Sequence, residues 1–367
     1  MKLVVFSDLH LDSAFAWAGS GSQAARRRRD ALRSTLRRVL DLAWTERADA
    51  VLCGGDLYEH DRFTPDTASF LQSCFDKVYP LRIFIAPGNH DFYATESLYN
   101  TVQWSPNVKI FISARLEPVE LEDGLTLWGG AHLAPASTGN FLQGFSADRG
   151  GVNIALFHGS ELGTFGQQGE SKSPHAPFRE QEIGRAGIAH AFLGHYHLPR
   201  DGEHHTYPGN PDPLSFGETG ARGAVVASIG PDGSVERSRR RVASTQLHDV
   251  KADVTGCSNR QEVRERVESV LSSLRGVARV TVDGELSREV DIRESDLLGL
   301  PTALDGYLVR LGKMDFAYDF ASLAAEPTVR GEFVKDVMGS DLSEDERRRV
   351  LLAGLRALEG RDDLEVV

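Results

Sequence analysis

Cysteine is scarce in this 367-residue chain, which contains only three. The odd number and wide spacing of Cys53, Cys74 and Cys257 exclude a disulfide framework and a cysteine-based zinc knuckle. We therefore expect buried, reduced thiols in a cytoplasmic protein. Long apolar runs are missing too, so we expect neither a transmembrane span nor a membrane partner. The first apolar run, residues 3–6, is too short for the core of a signal peptide.

Basic residues are outnumbered, since 41 Lys and Arg face 53 Asp and Glu for a formal net charge of −12. This balance is not typical of proteins that coat nucleic acid, because their binding is mostly electrostatic. It is compatible with a metal centre, where bound cations offset clustered carboxylates. Two basic clusters, residues 26–38 and 239–241, are interpreted as a solvated helix face or a charged linker, with phosphate contact as the alternative.

Strand and helix signals alternate over about the first 230 residues and predict an α/β fold: two sheets packed as a sandwich with helices outside. A polar stretch at residues 237–248 predicts a boundary, and a small α/β unit follows it. Ser343 and Glu346 form a capping-box signature that begins a C-terminal helix. That helix either packs on its own chain or docks on a partner. The predicted domains are residues 1–240, 248–325 and a helical tail, 326–367.

Five clusters of residue types that bind metals follow apolar runs. In chain order they contain Asp8 with His10, Asp56, Asn89 with His90 and Asp91, His158, and His195 with His197. In open α/β sheets, ligands bind beyond the carboxyl ends of the strands, where these clusters are expected. Asp8 and His10, two residues apart at a strand end, are expected to point to the same side. Each cluster alone is equally typical of a turn or a cap, but five in sequence favour a shared site.

The mixture of carboxylate and imidazole ligands suits manganese, iron or zinc better than calcium. Seven of these clustered side chains, all except His90 and Asp91, are enough for two divalent cations about 3.5–4 Å apart that share one carboxylate. Such a pair activates water and holds a phosphate for in-line attack. No Gly-x-Ser-x-Gly nucleophile motif is present, so the sequence favours direct hydrolysis by water.

The five clusters resemble the signature blocks of the calcineurin-like metallophosphoesterases. The resemblance implies an αββα sandwich with two cations. One cation would be held by Asp8, His10, Asp56 and His197, and the other by Asp56, Asn89, His158 and His195. It also implies two catalytic residues: His90, paired with Asp91, would protonate the leaving oxygen or stabilise the transition state.

Within that superfamily the chain looks most like the SbcD-type DNA-repair exonucleases. The similarity rests on residues 1–13, 207–210 and 216–218, and on the small α/β unit after residue 248. It implies manganese as the metal, DNA as a partner, a capping domain, and docking of a C-terminal segment on an SbcC-type SMC-like ATPase. Three residues would lie near the substrate: Glu59, His60 and Tyr207. Glu59 departs from the His or Asp that many relatives carry there.

Three functions follow from these observations. The first is a metal-dependent DNA nuclease that hydrolyses phosphodiester bonds in DNA repair. The second is a metallophosphoesterase for a non-DNA phosphodiester or phosphomonoester, which the acidic charge favours and the capping domain disfavours. The third is a non-catalytic scaffold for DNA ends.

A homodimer remains open, and His175 or the pair His204 and His205 are predicted at the rim of the site.

Overall fold

The computed structural model describes residues 1–19, 21–165, 174–287 and 290–359, without the side chains of Thr164, Phe165 and Phe316. Two compact units divide the chain, Met1–Leu247 and the residues from His248 onward. The end of the predicted tail, residues 360–367, lies outside the described residues. Among those that are described, no helix has the length and apolar character needed to cross a membrane.

Two six-stranded sheets form the frame of the first unit. The first sheet contains β1 (Lys2–Phe6), β2 (Ala50–Cys53), β3 (Arg82–Ile85), β4 (Val108–Ile110), β11 (Gly223–Ile229) and β12 (Val235–Arg241). The second contains β5 (Glu117–Glu122), β6 (Leu125–Gly129), β7 (Val152–His158), β8 (His190–Gly194), β9 (Arg200–Asp201) and β10 (His205–Tyr207). Their spatial orders are β12-β11-β1-β2-β3-β4 and β5-β6-β7-β8-β10-β9.

Alternation along the strands decides which side chains face the space between the sheets. Leu3 and Val5 pack with Ile154 and Phe192 in that space, whereas Val4 and Phe6 belong to the core beneath the helices. The helices of this unit are α1 (Gln23–Thr45), α2 (Pro65–Lys77), α3 (Leu98–Thr101), α4 (Leu162–Phe165) and α5 (Glu180–Arg185). α1 and α2 cover the first sheet and α5 packs on the second. The predicted two-sheet sandwich with outer helices is therefore confirmed.

Parallel pairing brings the carboxyl ends of the central strands to one edge. β1 pairs with β2, and β2 with β3, so Phe6, Cys53 and Ile85 lie side by side. In the second sheet β7 and β8 are also parallel, and His158 lies beside Gly194. Loops that leave these five strands therefore begin close together.

The second unit has its own three-stranded sheet and core. Its strands are β13 (Leu247–Asp253), β14 (Val277–Ser287) and β15 (Gly306–Ala317), and its helices are α6 (Arg260–Ser272), α7 (Phe320–Ala324), α8 (Val329–Met338) and α9 (Glu344–Leu358). Ser343 caps α9 in the predicted capping box with Glu346. α9 packs on its own chain, because Leu351 and Leu355 are buried against Leu323 and Val334.

The interpretation of the basic cluster at residues 239–241 is wrong. Arg239 to Arg241 do not form a linker or a helix face but end β12, an outer strand of the first sheet. An edge strand tolerates charged residues because it pairs on only one side. Arg239 Nη2 lies 3.0 Å from Asp201 Oδ1, and Arg240 Nε lies 3.2 Å from Glu46 Oε1. The charges are thus balanced locally within the first unit.

Candidate metal centre

The five predicted clusters meet at the shared edge of the two sheets. Backbone hydrogen bonds tie the first cluster to the second: Asp8 N donates to Gly55 O at 2.9 Å, and His10 N donates to Asp56 O at 2.9 Å. His158 ends β7, and His195 directly follows β8. The loops after the strands therefore assemble one site, as the order of clusters in the sequence predicted.

The turn after β1 differs from the expected geometry. Asp8 and His10 are not alternate residues of a strand, because their φ angles are 56° and 50°. Asp56 and His195 also have positive φ, at 52° and 108°. Non-glycine residues rarely adopt this conformation, and such strained positions concentrate at functional sites. Asp8 and His10 come together because the turn after β1 is hydrogen-bonded to the loop after β2. The expectation that they would alternate along a strand was therefore wrong.

Asp56 lies at the centre of the cluster. Its Oδ2 is 3.6 Å from His10 Nε2 and 3.3 Å from His158 Nε2, while its Oδ1 accepts the backbone N–H of His90 at 2.9 Å. Burial opposes ionisation, but the charges of His158 and His10 hold the pKa of Asp56 well below its usual value. One carboxylate oxygen thus lies near two imidazoles, which suits a shared ligand.

Asp8, His10 and His197 form the first candidate group, with ligand atoms all within 4.8 Å of one another. The Nε2 atoms of the two histidines are 3.2 Å apart. Each Nδ1 faces a carboxylate, Glu59 Oε1 for His10 and Glu218 Oε1 for His197, both at 2.8 Å. A histidine that donates Nδ1–H to a carboxylate presents Nε2 as a ligand. This donor set fits a divalent cation.

Asp8, Asp56 and His158 form a second group that meets the same distance limit of 4.8 Å. His158 Nδ1 lies 2.9 Å from the carbonyl oxygen of Gly54, which assigns the ring proton to Nδ1. His158 Nε2 is then directed at Asn89 Oδ1, 3.0 Å away, and at Asp56. A neutral oxygen, a carboxylate and an imidazole nitrogen converge here, so this group also fits a divalent cation.

His195 lies beside these groups. Its ring centroid is 5.3 Å from that of His158, and its backbone N–H donates to Asp8 Oδ1 at 2.9 Å. Among the described residues, no group of three His, Cys, Asp or Glu ligands includes it. Its role as a ligand of the second cation stays a prediction.

His90 is paired with Glu59 rather than with Asp91. Glu59 Oε2 lies 2.9 Å from His90 Nδ1, while its other oxygen faces His10. Hydrogen bonding to Glu59 raises the pKa of His90 to about 9 against the effect of burial. Burial opposes ionisation of Glu59, but hydrogen bonds from the two histidines lower its pKa to about 2. His90 also belongs to a third group with His10 and Asp56.

Asp91 has a different role from the expected one. Its carboxylate is buried and accepts Gly88 N at 2.6 Å, Leu57 N at 2.7 Å, Asp56 N at 3.0 Å and Tyr99 Oη at 2.5 Å. Burial and repulsion by Asp56 raise its pKa to about 6. All four of these hydrogen bonds come from groups other than the His90 side chain, and they join the loops that follow β2 and β3. The prediction of Asp91 as a catalytic partner of His90 is corrected accordingly.

The two other residues predicted near the substrate have different surroundings. His60 is half-buried, packs against Phe92 with ring centroids 4.3 Å apart and the ring planes tilted by 35°, and donates its backbone N–H to His90 O at 2.9 Å. Tyr207 is fully buried and donates to Gly159 O at 2.7 Å. Tyr207 supports the loop after β7 from behind, so contact with substrate is excluded by its burial. His205, predicted at the rim, is buried as well.

Sequence reasoning missed the role of Glu218. Burial works against its ionisation, but hydrogen bonding with His197 holds the pKa of Glu218 at about 2. Glu218 follows His197 by 21 residues, and no local spacing pattern links the two. The signal available in the sequence was an acidic residue in the segment that resembles the SbcD-type enzymes.

Carboxylates and histidines converge in these groups, and no sulfur ligand is among them. Such a set of ligands is typical of a hydrolytic metal centre. The calcineurin-like phosphoesterase family matches residues 1–199, which include every predicted metal ligand. The chain belongs to this family, whose members are hydrolases that act on phosphoesters with divalent metals. Over 281 residues it is 26% identical to YhaO of Bacillus subtilis (strain 168), described as an uncharacterized metallophosphoesterase, with 73% of this chain and 67% of that one covered.

Similarity to solved structures includes the crystal structure of TT1561 from Thermus thermophilus. That comparison gives a TM-score of 0.38 at 12% identity and covers 65% of this chain and 98% of the other.

Proposed function

We propose that this protein is a manganese-dependent nuclease that hydrolyses phosphodiester bonds of DNA. One observation carries the hydrolytic part: Asp56 Oδ2 lies 3.6 Å from His10 Nε2 and 3.3 Å from His158 Nε2. The choice of DNA rests on the resemblance to SbcD-type enzymes. In that family the phosphoesterase domain is followed by a capping domain, and the small α/β unit after residue 248 is the counterpart in this chain. Under this proposal the chain works in DNA repair with an SbcC-type ATPase.

The residues divide the work between holding cations and moving a proton. Bound divalent cations would polarise the phosphoryl oxygens and lower the pKa of the attacking water. His90 has 47% of its side chain exposed and is therefore open to substrate. Glu59 holds its Nδ1, so that Nε2 is the nitrogen directed to donate a proton to the leaving oxygen.

The test is the His90→Ala variant, assayed with linear DNA and with bis-p-nitrophenyl phosphate in the presence of Mn²⁺. Loss of a general acid lowers the rate by about 10²–10⁴-fold. Titration calorimetry should show that Mn²⁺ still binds, because Asp8, His197 and His158 remain. His204→Ala is the matched control, because His204 Nδ1 lies 3.4 Å from Ala189 O, just before β8 begins, whereas the centre follows the end of that strand. If wild-type protein with Mn²⁺ hydrolyses no more than His90→Ala, the proposal is lost.

A second candidate is a phosphoesterase for a non-DNA phosphodiester or phosphomonoester. The net charge of −12 favours it, because a polyanionic substrate is repelled by an acidic protein. A panel of DNA ends, cyclic nucleotides and small phosphoesters at equal concentration separates the two. Faster turnover of a small phosphoester than of any DNA would support this second candidate.

A further inference from the structure

His197 has a carboxylate partner on the ring nitrogen that faces away from the metal centre. Its Nδ1 lies 2.8 Å from Glu218 Oε1, and its Nε2 lies 3.2 Å from His10 Nε2. Only 16% of the Glu218 side chain is exposed. The orientation of this ring, and the nitrogen that carries its proton, therefore depend on a residue outside every predicted ligand cluster.

Glu218 is itself held in place by two donors, and one of these, Asn210, is held in turn by Arg222. Its Oε2 accepts Asn210 Nδ2 at 2.5 Å and Leu214 N at 2.7 Å. Arg222, which is buried, donates Nη1 to Asn210 Oδ1 at 2.7 Å and also to the carbonyl oxygen of His197. The network thus contacts both the side chain and the backbone of the histidine. Linked hydrogen bonds of this kind favour one arrangement of their members.

The same segment is anchored to the rest of the first unit through Asp212. This carboxylate is fully buried and accepts Arg28 Nη2 and Thr35 Oγ1 of α1, each at 2.7 Å. It also accepts the backbone N–H of Ser244 at 2.6 Å. Breaking a buried ion pair of this kind is strongly destabilising, so the segment has a rigid base. Glu218 therefore presents its oxygen to His197 from a fixed position.

We propose that Glu218 is a positioning residue: it keeps the proton of His197 on Nδ1 and thereby presents Nε2 as a metal ligand. This inference rests on the metal-binding part of the proposed function and is independent of whether DNA is the substrate. Asn210 and Arg222 hold Glu218 in the geometry that this role requires. Carboxylates that orient a ligand histidine in this way typically change metal affinity by about 10–100-fold when they are mutated.

The variant Glu218→Gln separates this role from a role in folding. The amide oxygen of Gln can still accept from Leu214 N and Asn210 Nδ2, so the loop keeps its hydrogen bonds. The amide NH₂ then faces His197 Nδ1, and it can only donate. The proton of His197 must move to Nε2, and a protonated nitrogen does not bind a cation.

The experiment measures Mn²⁺ affinity of the full chain by titration calorimetry. Glu218→Gln should weaken binding about 10–100-fold, and bis-p-nitrophenyl phosphate hydrolysis should recover toward wild type as Mn²⁺ is raised. Nitrogen chemical shifts of the metal-free protein should show His197 protonated on Nδ1 in wild type and on Nε2 in the variant. Glu203→Gln removes an equivalent charge from a carboxylate that is 84% exposed, and is expected to bind Mn²⁺ like wild type.

Unchanged Mn²⁺ affinity in folded Glu218→Gln would overturn the inference, as would an Nε2-protonated His197 in wild type. If wild-type protein binds no Mn²⁺, the proposed function itself fails. If wild type binds Mn²⁺ and Glu218→Gln binds it equally well, only the role of Glu218 is rejected. Should Glu218→Gln not fold, Glu218→Asp keeps the charge but shortens the side chain, and a loss of Mn²⁺ affinity is again required. The His197 shifts of wild type decide the question even without a variant.

Discussion

At the scale of single residues, the candidate centre depends on carboxylates that each serve several partners. Asp56 faces two imidazoles with one oxygen and a backbone N–H with the other. Glu59 faces two histidine rings. Asp8 accepts Ser7 Oγ at 2.5 Å and the backbone N–H of His195 at 2.9 Å. Substitutions at these positions are therefore expected to separate two effects: loss of the charge that binds a cation, and loss of the hydrogen bonds that stabilise the loops.

Asp8 offers the clearest separation. Asp8→Asn retains an oxygen that accepts the backbone N–H of His195 but removes the charge, so we expect weaker Mn²⁺ binding with little loss of stability. Asp8→Ala removes both, which also leaves a buried N–H unsatisfied at a cost of about 1–3 kcal/mol. Calorimetry and urea denaturation measure the two effects. Full hydrolysis by both variants would contradict the assignment of Asp8 as a ligand.

His90 should titrate unusually high in the metal-free protein. Because its pKa is raised to about 9, it is protonated at neutral pH, and its pair with Glu59 contributes fully below the ordinary histidine value of about 6.5. That contribution is lost as the pH rises through about 9. In Glu59→Gln the pKa of His90 should fall toward the ordinary value. Proton NMR of the ring measures both, and equal values in wild type and variant would refute the pairing.

At the scale of elements, the alternating strand and helix signals predicted the two-sheet α/β sandwich, and the residues that follow the apolar runs predicted the site. β2 is one example, since residues 50–53 are apolar and Gly54 ends the strand. β9 and β10 were not predicted, because runs of two and three residues carry no periodic signal. α7, which ends before the predicted helical tail begins at residue 326, was not predicted, and α8 was not predicted as a separate helix within that tail.

Site residues that directly follow a strand were predicted from the sequence, whereas side-chain pairings that depend on tertiary contacts were missed. Asp56 and His158 belong to the first kind. The pairing of His90 with Glu59 instead of Asp91 belongs to the second, because neighbouring residues in a loop point in different directions. Glu218 is likewise recognisable only when its loop is folded against His197.

Close approach of the loops makes glycine necessary at residue 88. A Cβ there would collide with Asp56 Oδ1 and lie 2.8 Å from His158 Nδ1. Gly88→Ala should therefore displace both side chains, weaken Mn²⁺ binding and destabilise the fold by about 1–3 kcal/mol. Gly139→Ala is the control, since no atom lies within 4 Å of its Cβ position. Thermal melts and calorimetry measure the effects, and identical behaviour of the two variants would argue against this packing.

At the scale of the whole molecule, every predicted metal ligand and His90 lie in the unit Met1–Leu247. That unit has two sheets and its own cores. The second unit has a separate core around β14 and α6. The hydrolytic chemistry is therefore expected to reside in the first unit, and under the proposed function the second unit contributes to the choice of DNA.

Residues 1–247 alone should retain hydrolysis of bis-p-nitrophenyl phosphate with Mn²⁺, at a rate close to that of the full chain, because the unit contains every predicted ligand. Cleavage of linear DNA by this fragment should fall further, because the proposed cap is absent. Steady-state rates on the two substrates measure the difference. Equal losses on both substrates in a folded fragment would contradict a separate role for the second unit.

Anomalous scattering from Mn²⁺-soaked crystals would show directly whether two divalent cations share Asp56. We expect two anomalous peaks that both contact Asp56, one near His10 and His197 and the other near Asn89 and His158. A single peak, or peaks that do not contact Asp56, would contradict this expectation.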